Sequence, residues 1–164
     1  IANAEVQPPF GPNAMLPYQP TRLVGTDFSL ADIEGSDFSG VQAVGTNFDG
    51  AAIFNTRFSG AFLLASTFRN AILYEVDFTG ADLTKADFDG VAVFDAEFLD
   101  RVAVSALAGT FDKNAYVLEI IADEVMATHP NLNALARLPE DVQNNQPPMR
   151  LRRVQPIEGD ETTS

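Results

Sequence analysis

The 164-residue chain has no cysteine, no tryptophan and a single histidine. Without thiols there is no disulfide framework, no cysteine-based zinc site and no thiol nucleophile, and the redox compartment stays open. The sole imidazole, His129 beside Pro130, falls where a helix is expected to end, so its simplest role is to complement the helix dipole. No Ser-His-Asp or Cys-His arrangement can be assembled around it. Basic residues are scarce: ten Lys and Arg against 23 Asp and Glu leave a net charge of −13. That balance opposes direct binding to nucleic acid or to an anionic membrane, both of which require cations. No apolar run approaches the roughly 18 residues of a transmembrane helix. No Gly-rich phosphate loop leads into a helix. The sequence therefore predicts no catalytic, cofactor-binding or metal-ligating residues.

What the sequence has instead is repetition. From Thr21 to Asp100 run sixteen consecutive five-residue units without insertion or deletion. Their centres begin Leu23, Phe28, Ile33, Phe38 and end Val93, Phe98, and every second centre is Phe. Two positions before each centre stands a small or β-branched residue, as in Thr21, Ala31, Ser66 and Val91. Two positions after it Gly fills half the units, and Asn55, Asn70, Asp95 and Asp100 are further turn formers. A period of five fits neither a helix at 3.6 nor a plain strand at 2. Locally extended backbone points the small residue and the centre the same way. Gly, Asn or Asp then supplies the positive φ that redirects the chain. The result is a coil with an apolar inside and, because Phe and aliphatic centres alternate, an even number of sides.

Ala81-Asp82-Leu83, Ala86-Asp87-Phe88 and Ser36-Asp37-Phe38 resemble the signature of the pentapeptide-repeat family. The resemblance covers about half the chain. It implies an all-β fold, a right-handed four-sided β-helix (solenoid) with twenty residues per coil and hence about four coils. A C-terminal helical cap also has family precedent.

Grouping residues by twenty gives four sides. The third side (31–35, 51–55, 71–75, 91–95) is apolar where water is expected, with Ala52, Phe54, Ile72, Tyr74, Ala92 and Phe94 outward. The first side (21–25, 41–45, 61–65, 81–85) shows Val24, Val44, Phe62 and Leu64 outward. The second and fourth sides, which carry the Phe centres, are polar outside. Their columns Asp27, Asn47, Thr67, Asp87 and Asp37, Arg57, Asp77, Glu97 are interrupted by Thr and Arg, which breaks any carboxylate ladder for a cation. Contiguous apolar surface marks an interface. Phe54, Ile72, Tyr74 and Phe94 are accordingly expected to dock a partner or to lie under the protein's own termini, with self-coverage expected for one side only.

Flanking segments complete the domain plan. Residues 1–20 are a Pro-rich extended lead-in that caps the first coil or lies along one side; Ala2-Asn3-Ala4 before Glu5 matches the cleavage signal of exported and lumenal precursors. Residues 21–110 form the solenoid and 111–139 a helical cap, with helices expected from about Lys113 to Thr128 and from Leu132 to Leu138, the latter capped by Asn131. Residues 140–164 read as an extended or disordered tail. Within it Arg150, Leu151, Arg152 and Arg153 are expected to make contacts, either as a strand along the acidic solenoid or on a partner.

The implied function is that of a non-catalytic structural protein: a rigid solenoid docking by an apolar side onto a larger protein assembly. The resemblance is strongest to short members of the thylakoid lumen, which implies a photosynthetic complex approached from its lumenal side, peripheral to the membrane. The C-terminal Cys pair of the plant members is missing here. A bacterial cytoplasmic or exported location is the alternative, as is a second function, a DNA-mimicking inhibitor of gyrase.

Overall fold

The computed structural model describes residues 19–154. The lead-in up to residue 18, with its Ala2-Asn3-Ala4 motif, and the acidic end of the tail lie outside the described residues. Every fifth residue from 25 to 90 has positive φ, including the non-glycines Leu30, Asn55, Ala65, Asn70, Glu75 and Lys85. Each is a corner. Between corners the backbone is extended, and pairing runs parallel at a separation of twenty residues on all four sides: Arg22 with Gln42, Asp27 with Asn47, Ile33 with Ile53 and Asp37 with Arg57. The third side forms the longest strands, β1 (Asp32–Glu34), β2 (Ala52–Phe54), β3 (Ile72–Tyr74) and β4 (Ala92–Val93). Between-coil bonds such as Leu23 N–H to Gln42 C=O at 2.7 Å and Gln42 N–H to Thr21 C=O at 2.9 Å satisfy the backbone in both directions.

Inside, the Phe centres build two parallel columns. Phe28, Phe48, Phe68 and Phe88 stack at 5.3, 4.8 and 4.9 Å between centroids, and Phe38, Phe58 and Phe78 at 5.1 and 5.5 Å. Across the coil the two columns meet edge to face, as for Phe58 and Phe68 at 5.9 Å. Each Phe thus has offset stacking along the axis and a T-shaped contact across it, both favourable quadrupole geometries. The signature Asp has a local purpose that its sequence position does not announce. Asp27, Asp37, Asp77, Asp82 and Asp87 each accept the backbone N–H two residues on, at 2.8–3.0 Å, and Asn47 does the same. These are Asx turns, which fix the chain as it approaches each corner.

The coil ends one unit earlier than the repeat pattern predicts. Asp95 does not take positive φ, and the sixteenth unit opens helix α1 (Phe98–Ser105), which buries Phe98 and Val102 against the last coil. Helix and chain then continue the ladder, Gly80 N–H donating to Ser105 C=O and Leu107 N–H to Ala81 C=O.

The expected helical cap needs a larger correction. In place of a helix from Lys113 to Thr128 there is a 3-10 turn (Lys113–Ala115), strand β5 (Tyr116–Ile120) and a short helix α2 (Asp123–Met126). The apolar residues 116, 117, 120 and 121 fit a helical spacing, but Tyr116 and Leu118 also alternate at period two, and β-branched content favours a strand. What decides is a partner about thirty residues further on. Strand β6 (Met149–Arg153), in the segment expected to be an extended or disordered tail with a strand along the solenoid as one of its two alternatives, pairs antiparallel with both β4 and β5, giving a sheet in the order β1-β2-β3-β4-β6-β5. Leu151 is fully buried there. Between them lie a 3-10 segment (Leu132–Arg137), where an α-helix was expected, and helix α3 (Glu140–Asn145).

Candidate interaction surface

The third side is sealed by the chain itself. Phe54, Ile72 and Phe94 are buried, with Tyr74 partly so, under Ile121, Met126, Leu135, Leu138 and Val142. Of the two roles expected for Phe54, Ile72, Tyr74 and Phe94, docking a partner is corrected in favour of lying under the protein's own C-terminal segment: residues 121 to 142 occupy the place a partner would take. The aromatic ladder is real but its rings meet edge to face, Phe54 to Tyr74 at 6.4 Å and Tyr74 to Phe94 at 6.5 Å. Polar clamps hold the cover at its rim. Arg137 forks onto Asp32 while its guanidinium lies 5.2 Å from the Phe54 ring centre, and reaches Glu34 at 3.5 Å. The hydrogen bonds that Arg137 donates to Asp32 raise its pKa further.

His129 belongs to these clamps. Its Nε2 meets Asn70 C=O at 2.6 Å and its Nδ1 meets Asn131 N–H at 3.0 Å. A carbonyl only accepts and an amide N–H only donates, so Nε2 donates to Asn70 and Nδ1 accepts from Asn131. The role of dipole partner gives way to that of a strap. Asn131, expected as an N-cap, makes no cap bond; its side chain instead donates to Gly50 C=O and Leu30 C=O across the solenoid.

The tail residues close the C-terminal end. Arg150 and Arg152 pair with Glu119 of β5 at 3.5 and 2.5 Å, holding its carboxyl below the usual range chiefly through the Arg152 hydrogen bond. Arg153 reaches Asp87 at 3.0 Å and also the Tyr116 hydroxyl. Burial pushes Asp87 up, but the Asp89 N–H, Arg153 and Arg69 outweigh it and hold the carboxyl below its ordinary value. Tyr116 responds oppositely. Burial, only partly offset by the Phe88 N–H bond and Arg153, pushes its hydroxyl up to about 12.

The first side has no such cover among the described residues. Val24 is 53% exposed, Phe62 49% and Leu64 37%, and Val44 is half-buried. Val24, Val44 and Leu64 follow one another on successive coils, linked through Gly25 N–H to Val44 C=O and Gly45 N–H to Leu64 C=O. Phe62 stands beside them, between Gln42 and Asp82. Sequence reading found these residues but could not tell which apolar side the chain would keep for itself.

A profile described as pentapeptide repeats matches residues 21–50 and 53–90, in eight copies. Residues 21–50 and 53–90 are pentapeptide repeats. No curated protein matches it. Among solved structures it is similar to a pentapeptide repeat protein from the Arabidopsis thaliana thylakoid lumen, at 22% identity over 58% of this chain and 89% of that one, TM-score 0.33. A pentapeptide repeat protein from the cyanobacterium Cyanothece shares 24% identity over 40% of this chain and 51% of its own, TM-score 0.28. One from the cyanobacterium Nostoc, involved in heterocyst differentiation regulation, shares 26% over 43% and 37%, TM-score 0.26.

Repeats of this kind point to an interaction protein. Two clefts flank its cover. One, of 390 Å³, is lined by Tyr74, Glu75, Phe94, Asp95, Arg101 and Asp141; burial first, then Glu75 and Asp141, raises the Tyr74 hydroxyl there. The other, of 450 Å³, runs beside Arg69, Met126, His129 and Arg150. His129 has both nitrogens engaged, Arg101 is paired with Asp95 and Arg69 with Asp87. Among the described residues no three acidic or imidazole groups converge as a metal site, and no helix is long and apolar enough to cross a membrane.

Proposed function

We propose that the protein is a docking module, a rigid solenoid that binds a protein component of a larger assembly through its first side. The observation that carries this reading is the contrast between two apolar sides of one coil. The third side is buried under the chain's own C-terminal segment, whereas Val24, Phe62 and Leu64 stand exposed on the first. The coils hold these residues in fixed mutual geometry before any partner arrives, so little ordering entropy is lost on association. The resemblance to lumenal members makes a photosynthetic complex at its lumenal side the first assembly to examine. In the full chain, Phe62→Asp with Leu64→Asp places two charges in the strip while leaving every inward residue in place. Circular dichroism and melting should match wild type, and co-fractionation with the assembly should be lost. A double variant that keeps its place in the assembly overturns the reading.

The second reading, a DNA-mimicking gyrase inhibitor, draws on the carboxylates of the second and fourth sides. Arg57 and Arg69 interrupt those rows midway, where a phosphate mimic needs continuous negative charge. Inhibition of gyrase supercoiling by the wild-type chain, unaffected by the Phe62→Asp and Leu64→Asp pair, would favour this function over docking.

A further inference from the structure

We infer that the occupant of the first side is a basic amphipathic helix of the partner protein, an assignment that rests on the docking reading above. Three observations converge on it. The first concerns the backbone. On this side the N–H and C=O groups are spent between coils, as in Gln42 N–H to Thr21 C=O, Phe62 N–H to Val41 C=O and Asp82 N–H to Ala61 C=O. Between the coils a strand finds no free edge among the described residues, so recognition along the strip runs through side chains. The second is pitch. Val24, Val44 and Leu64 repeat at the spacing of neighbouring strands, about 4.8 Å, and a helix laid along the solenoid axis offers apolar residues at i, i+3 or i+4 and i+7 at about 5.4 Å per turn. Over three coils the two rows stay in step to within about one ångström.

The third is charge. The strip itself is nearly balanced, with Arg22, Asp82 and Lys85, but it is flanked on both sides by acid. The second side presents Asp27, Asp49 and Asp89 with Arg69, while Asp87 is buried between Arg69 and Arg153, and the fourth presents Asp37 and Asp77 with Arg57. Arg69 is already tied to Asp87. Asp27 and Asp37 are held below the ordinary carboxylate range by the hydrogen bonds of Ser29 and Ser39, and both are fully exposed. An apolar row between two acidic margins is complementary to an apolar helix face with Lys or Arg at its edges. The same margins repel an anionic bilayer surface.

The test titrates the full-length protein against a labelled synthetic helix with Leu at i, i+3 or i+4 and i+7 and Lys along both margins, beside the same helix with Glu for Lys. Binding of the Lys helix is expected, weakening as salt rises from about 0.05 to 0.5 M, with none for the Glu helix. Phe62→Asp should abolish binding. The triple variant Asp27→Asn, Asp37→Asn and Asp77→Asn removes three charges but keeps the turn acceptors, as Asn47 already does in the wild-type chain. It should weaken binding about tenfold and flatten the salt dependence. Equal affinity for the two helices overturns the inference, as does binding to vesicles of anionic lipid in place of the peptide, or concentration-dependent self-association that Phe62→Asp abolishes. So does a Lys helix that binds only after Phe10, Met15 and Leu16 are replaced by Ser, which makes the protein's own lead-in the occupant. Loss of native co-fractionation in the Phe62→Asp, Leu64→Asp variant with no binding of the Lys helix leaves docking standing and removes only the partner chemistry assigned here.

Discussion

The first and third sides of the solenoid start from the same pattern and meet opposite fates. Each places apolar residues outward at a period of twenty, and each hangs from the same interior. The third is dry beneath residues 121–142, while the first keeps Val24 and Phe62 about half exposed. What separates them is the course of the chain beyond the repeat. It leaves the last coil through α1, turns into β5, and crosses the third side before returning as β6 between β4 and β5. An outward apolar residue on a solenoid therefore becomes core or stays exposed according to the route of the flanking segment, and not according to the repeat itself.

The interior sets the scale for both sides. Phe68 is fully buried, stacked on Phe48 and Phe88 and edge-on to Phe58 and Phe78. Phe68→Ala should cost about 3–5 kcal/mol, seen as a fall in the urea midpoint. A loss close to zero would mean that the columns do not carry the coil.

The contrast between the sides is broken or confirmed by one pair of variants. Ile72→Ala, under the cover, should cost about 2–4 kcal/mol. Phe62→Ala, on the side left uncovered by the described residues, should fall within roughly 0.5 kcal/mol of wild type. Equal urea midpoints for the two would remove the distinction on which the docking reading stands.

The solenoid was legible because each of its contacts repeats at a fixed separation: any one unit predicts the next, and sixteen in register leave little freedom. Corners at Gly, Asn and even Leu30 or Lys85 follow from position in the unit. The end structure has no such redundancy. Tyr116–Ile120 becomes a strand because Met149–Arg153 lies beside it, a pairing between unique segments with no periodic trace. Local spacing there supports a helix equally well, and the helical expectation was wrong for that reason. The carboxylates were visible as a signature, but their use as turn acceptors depends on the direction of a side chain. The choice of covered side was illegible for a related reason, since Phe54 and Phe62 both read only as apolar and outward.

The end cap that anchors the cover should show in the alkaline limb of stability. The Tyr116 hydroxyl lies within 3.5 Å of Ala86 C=O and accepts from Phe88 N–H at 3.1 Å. Its folded pKa, about 12, lies above the unfolded value of about 10. The folded state therefore holds its proton more tightly, so this stabilisation is complete below about pH 10 and is lost as pH rises towards 12. The slope between those values should steepen by about one proton. Tyr116→Phe should abolish that extra slope while lowering stability at neutral pH by about 1–2 kcal/mol, because Phe88 N–H loses its acceptor. An unchanged alkaline slope in the Phe variant would show that the hydroxyl titrates as it does in the unfolded chain.

The smallest expected effect tests whether the two sides are equivalent beneath their coverings. Ala65 is a corner of the first side with φ 56° and Glu75 a corner of the third with φ 52°, and both are exposed. A side chain at positive φ crowds the carbonyl at a cost of order 1 kcal/mol. Glycine removes that cost but adds freedom to the unfolded chain, so the two terms partly cancel. Ala65→Gly and Glu75→Gly should each raise the melting free energy by about 0.5 kcal/mol or less, and by the same amount. Equality would mean that corner geometry is a property of the coil alone, with the cover resting on a finished scaffold. A gain at Ala65 with a loss at Glu75 would show instead that the cover depends on the Glu75 side chain at the margin of its cleft, and that the third side was shaped together with the segment that seals it.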